Sequence, residues 1–153
     1  MSESHDHVFT VYVRCDARTL WKALTNPDRT AEWFHGLRVT SEFRSGTPIS
    51  FALAEDPARR AVVVGEILDV SERERLVFRF ALSNSDDPPT RVRWNIESTG
   101  DDETVCRFTV THVGFPERNA TWHQTAAGWP VALSSLKSLL ETGQALRMRR
   151  QIG

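Results

Sequence analysis

The chain has 153 residues, 40% hydrophobic and 25% charged, the composition of one ordinary globular domain rather than a disordered segment. Lys and Arg number 19 against 20 Asp and Glu, so the formal net charge of −1 offers no broad field to draw in nucleic acid, and no such partner is expected. Two cysteines without Cys-x-x-Cys spacing, no basic-then-apolar leader and no apolar run near ~20 residues predict a cytoplasmic chain with no disulfide framework, metal, cofactor or membrane insertion.

Residues 1–7 are polar and predict a flexible tail; His5, Asp6 and His7 lack the geometry of a metal site. Val8 to Arg14 is β-branched and aromatic, with Phe9, Val11 and Val13 on one face, and predicts a first strand. Asp16 is placed to cap a short helix, Ala17 to Leu24, with Leu20, Trp21 and Leu24 on one side. Asn26 then caps and Pro27 opens a second helical turn that reaches Trp33.

Turn residues divide the next eighty positions into six strands: Val39 to Arg44, Thr47 to Leu53, Ala61 to Val70, Leu76 to Leu82, Arg91 to Ser98 and Thr104 to Val113. Ile49, Phe51 and Leu53 share a face, as do Leu76, Phe78 and Phe80. Val92, Trp94 and Ile96 alternate with Arg91, Arg93 and Asn95, and Cys106, Phe108, Val110 and His112 alternate with Arg107, Thr109 and Thr111. Such alternation gives each strand one buried and one wet face, as antiparallel meanders require. The strand from Ala61 is ambiguous: Val62, Val64, Leu68 and Val70 argue for one inward face, and Ala61, Val63, Gly65 and Ile67 for the other. On the first reading Glu66 points inward.

The chain ends in a helix capped by Asn119, with Trp122, Ala126, Trp129, Leu133, Leu136, Leu140 and Gly143 in one stripe. Pro130 predicts a kink or short break beside Trp129. Residues 8–146 thus read as one α+β domain, followed by a basic tail at 147–153. A single helix with one apolar stripe covers seven strands only if the antiparallel sheet curls around it, and such a grip predicts an apolar cavity between them.

The order strand, two short helices, six-strand meander, long helix resembles the helix-grip fold of START lipid-transfer domains, the major birch-pollen allergen and polyketide cyclases. Four stretches resemble its AHSA-type branch, named after the C-terminal domain of an activator of a heat-shock chaperone ATPase. They are Leu20 to Pro27 with Glu32-Trp33-Phe34; Gly65-Glu66-Ile67 with Leu76-Val77-Phe78; Thr111 to Pro116; and Gly128-Trp129 with Leu133, Leu136 and Leu140. The resemblance implies a cavity protein or a chaperone-assisting module.

The predicted site is the inward apolar set: Trp33, Phe51, Phe78, Phe80, Trp94, Phe108, Val110, Trp129 and Leu133, with His112 as its polar member. The expected ligand is a hydrophobic or amphipathic molecule of lipid or polyketide type. The alternative is a cyclase, dehydratase or hydrolase in which His112, alone or with Glu66, moves protons. The favoured reading of His112 is a buried histidine satisfied by a backbone carbonyl near the start of the last helix.

Overall fold

A computed structural model describes residues 5–100 and 104–146. Residues 101–103, the first four residues of the predicted N-terminal tail and the whole of the predicted tail at 147–153 lie outside the described residues. The elements run β1 (His7–Val13), α1 (Ala17–Thr25), α2 (Pro27–Trp33), β2 (Leu37–Ser41), β3 (Pro48–Leu53), β4 (Ala61–Ser71), β5 (Arg75–Leu82), β6 (Thr90–Thr99), β7 (Val105–Val113) and α3 (Ala120–Thr142). All neighbouring strands pair antiparallel in the order β1-β7-β6-β5-β4-β3-β2, so the chain closes its meander by laying the last strand beside the first. This is the helix-grip arrangement.

Local chemistry sets the helix ends. Asp16 accepts from the Thr19 amide at 2.8 Å, and Asn26 accepts from the amides of Asp28 and Arg29. At α3, Asn119 accepts from the Trp122 amide. A second cap comes from the β5–β6 loop: Asp87 accepts from both the amide and the hydroxyl of Thr121, at 2.9 and 2.7 Å. Those bonds hold the Asp87 carboxyl below its ordinary range and tie the loop to the helix start. Gly143 ends the helix with φ 86°, a conformation that glycine adopts without a Cβ penalty.

The break expected at Pro130 is absent, and α3 runs uninterrupted through it. Trp129, Ala132 and Leu133 are buried on either side, so packing keeps the helix continuous despite the lost amide donor. The buried stripe also differs at its start. Thr121 and Thr125 face the core there, and Trp122 and Ala126 lie at its margin. The Thr125 hydroxyl donates to the Thr121 carbonyl at 2.8 Å, which makes a buried threonine tolerable.

The ambiguity of β4 has a physical origin. Pairing with β3 slips at Val62 and pairing with β5 slips at Leu68, so bulges at both positions change which residues face inward. Val63 and Ile67 are buried between the bulges, and Glu66 is exposed on the outer face. Glu66 therefore does not enter the interior. Gly65 marks the tightest approach: a Cβ there would sit 1.7 Å from the Arg79 carbonyl oxygen, so only glycine fits.

Each edge strand of the sheet is tied to a helix. Lys137 of α3 donates to the Tyr12 carbonyl and Glu141 accepts from the Arg14 amide, while Thr30 of α2 accepts from the Val39 amide. Edge groups occupied in this way cannot template another strand. His7 was expected in a tail, yet it opens β1 opposite His112 and is buried. Its parity with Phe9, Val11 and Val13 carries it to the inner face.

Candidate functional site

The ten predicted site residues all lie in the interior, each no more than 4% exposed. They come from α2, β3, β5, β6, β7 and α3, because each strand presents every second residue to the helix. Trp94 is the hub. Its ring centroid lies 6.0 Å from Trp33, 5.2 Å from Phe78, 6.2 Å from Phe108 and 6.3 Å from Trp129, mostly in edge-to-face geometry. Phe34, which the sequence reading passed over, stacks on Trp129 at 5.5 Å and meets Phe51 and Trp94 edge-on. Phe34 caps the C-terminus of α2, and His35 and Gly36 follow it with φ of 52° and 74°. His35 Nε2 then reaches the Gly128 carbonyl at 3.2 Å, fastening this turn to α3.

The polar end of the cluster is fully bonded. The Trp129 indole N–H donates to His112 Nδ1 at 3.0 Å. An indole is a donor only, so Nδ1 must accept, and the ring proton therefore sits on Nε2. Nε2 donates to the Thr90 hydroxyl at 2.7 Å, and that hydroxyl donates to the Phe80 carbonyl at 3.2 Å. Burial, followed by the nearby His7, pushes the His112 pKa down to about 3. A second ring proton would also point at the indole N–H. His112 is thus a neutral, saturated group at pH 7, with neither nitrogen free to take or give a proton.

Its partners differ from the backbone carbonyl expected near the start of the last helix. That bond belongs to His7, whose Nε2 donates to the Trp122 carbonyl at 3.2 Å. His7 packs between Phe115 and Trp122, with centroids 5.1 and 4.9 Å away, and burial lowers its pKa despite that bond. Thr90 was legible in principle, since it continues the inward alternation of Val92 and Trp94 by one step.

Trp94 itself is the contrast. It is fully buried, yet its indole Nε1 has no hydrogen-bond partner among the described residues. Trp33, beside it, donates to the Ala23 carbonyl at 2.8 Å. An unpaired buried donor costs ~1–3 kcal/mol, so the Trp94 N–H is the weak point of an otherwise bonded cluster.

Two surface grooves accompany this interior. One of about 650 Å³ runs past the end of α3, between Glu32 and Ser138, Thr142 and Leu146. The other, of about 400 Å³, lies on the outer face of the sheet. Among the described residues, no three His, Cys, Asp or Glu side chains are arranged to hold a metal ion, and no helix is long and apolar enough to cross a membrane. Cys15 and Cys106 are free thiols in contact, and the Cys106 thiol donates to the Cys15 carbonyl at 3.3 Å.

Residues 14–141 match the family described as Activator of Hsp90 ATPase homolog 1-like protein. The chain belongs to that family. Among solved structures, CalU16 from Micromonospora echinospora superposes with a TM-score of 0.69 at 20% identity, over 90% of this chain and 77% of its own. DynU16, a protein in the dynemicin biosynthetic locus, gives 0.73 at 25% identity over 94% of this chain, which spans about half (49%) of the DynU16 chain. The Aha1 dimer from Colwellia psychrerythraea gives 0.73 at 17% identity, over 92% of this chain and 98% of that one. No curated protein matches the sequence. Likenesses at 17 and 20% identity carry the fold alone.

Proposed function

We propose that this protein binds a small hydrophobic or amphipathic molecule, ring-bearing and polyketide-like, between the sheet and α3. The observation that carries this reading is the unpartnered indole N–H of Trp94 at the centre of the aromatic cluster. Around it Phe51, Phe78, Phe80, Phe108, Val110 and Leu133 supply apolar walls, and Trp33 and Trp129 supply ring faces. A carbonyl or hydroxyl oxygen on the ligand accepts from Trp94 Nε1 and sets its orientation, one of the few polar contacts that such sites use. The rings are packed against one another, so a ligand enters by displacing Phe34 from Trp129 at the turn after α2. His112 contributes an uncharged wall and no proton. The likeness to DynU16, a protein of a biosynthetic locus, favours a small molecule over a macromolecule as the occupant.

The test is a titration of the whole chain with aromatic ring compounds that do or do not carry a carbonyl, read by tryptophan fluorescence and native mass spectrometry. Carbonyl-bearing compounds should bind, and Trp94→Phe should weaken them about tenfold, the equivalent of one charge-free hydrogen bond. Analogues without the carbonyl should be unaffected by that change. Should the folded wild type bind neither ring compounds nor fatty acids, the cavity reading fails, and a chaperone-assisting interaction module takes its place.

A further inference from the structure

The outer face of the sheet carries a second pattern. Along β5, β6 and β7 the residues that alternate with the buried set point away from α3. At one end of this face the arginines are matched: Arg75 pairs with Asp69, and Arg107 with Glu97 directly across from it. At the other end Arg79, Arg91 and Arg93 are exposed, and none makes an ion pair among the described residues. Arg79 lies directly opposite Arg91 in the β5–β6 register. Like charges placed so repel across β5 and β6, while Glu66 of β4 faces Arg79 from its other side. Arg93 follows two residues on, ~6.6–6.8 Å along the strand. Arg91 and Arg93 wall the groove of about 400 Å³, whose other sides are Leu68, Val77, Thr111 and Val113.

We propose that this groove docks a short acidic segment of a partner polypeptide in extended form. Two carboxylates at alternate positions of an extended chain repeat at the same ~6.6–6.8 Å as Arg91 and Arg93. An apolar side chain beside them finds Val77, Leu68 and Val113. Recognition runs through side chains, because β5, β6 and β7 are paired on both edges and accept no added strand. A nucleic-acid strand fits less well. Glu66 and Glu97 share this face and repel a continuous polyanion, and no aromatic ring lines the groove for base stacking.

The experiment measures fluorescence anisotropy of a labelled peptide of about eight residues, with glutamate at alternate positions and one leucine, against the full chain. Saturable binding that weakens with added salt is expected. Reversal at Arg91→Glu with Arg93→Glu should weaken it at least about tenfold, whereas Arg29→Glu, on α2 beside the β2 edge of the sheet, should not. Arg93→Gln, which removes one groove charge without reversing it, should lower peptide affinity by a smaller factor while leaving the Tm nearly unchanged, and it should flatten the salt dependence. Circular dichroism checks that each variant is folded, and the Arg93→Gln result stands if the double reversal is not. The proposal is overturned if the folded wild type shows no saturable binding, if a lysine-for-glutamate peptide binds equally well, or if a single-stranded oligonucleotide binds more tightly than the peptide.

Discussion

Trp94 and Trp129 lie with ring centroids 6.3 Å apart in one cluster, yet they stand in opposite chemical situations. The Trp129 N–H ends a chain of bonds through His112, Thr90 and the Phe80 carbonyl, in which every polar atom has a partner. The Trp94 N–H has none among the described residues. A buried network that is fully satisfied rigidifies its surroundings, while an unpaired donor is a standing cost until an acceptor arrives. The histidine that looks most catalytic in the sequence therefore belongs to the closed end. The tryptophan at the hub of the predicted site carries the unpaired donor, which the proposed function reads as the receptive end.

Three measurements break or sharpen this contrast. The largest effect concerns acid. His112 has a folded pKa of about 3, below its unfolded value near 6.5, so the unfolded chain binds the extra proton more tightly. Folding stability should then fall as pH drops below about 6.5, by roughly 1.4 kcal/mol per pH unit until pH nears 3, with His7 adding in the same direction. Urea denaturation from pH 7 to pH 4 checks this, and a flat profile would mean that His112 is not buried neutral. Next in size is Trp129→Phe, which leaves His112 Nδ1 without its donor; it should cost ~1–3 kcal/mol beyond the loss of packing. Smallest is Trp94→Phe, which deletes an N–H that bonds to nothing. Its cost should be smaller than that of Trp129→Phe by about the same ~1–3 kcal/mol, and the difference in urea midpoint between the two variants reads it directly. Equal costs would show that the two indoles are equivalent and would remove the basis for a receptive end.

Much of the site was legible because strand parity is a local rule. Alternation along β6 and β7 put Trp94, Phe108, Val110 and His112 on one face, and register confirms it, with Trp94 opposite Val110 and Ile96 opposite Phe108. The same rule, carried one residue further at each end, would have added His7 and Thr90. It failed in β4, where bulges at Val62 and Leu68 shift parity twice, and Glu66 could not be placed from its neighbours. Proline chemistry alone also left a break in α3 open, which tertiary packing on both sides of Pro130 closes by outweighing one missing hydrogen bond.

Sequence by itself determined the element order, the capping residues Asp16, Asn26 and Asn119, the inner and outer faces of the regular strands, and the family. Each follows from interactions a few residues long. Only the tertiary structure decided which buried polar atoms are satisfied, because those partners lie 17 to 22 residues away for His112 and 34 for Asp87. Only the strand register could set Arg79 against Arg91. Hydrogen bonds and charge pairs of this kind depend on distances between segments that meet on folding, and no local pattern encodes them.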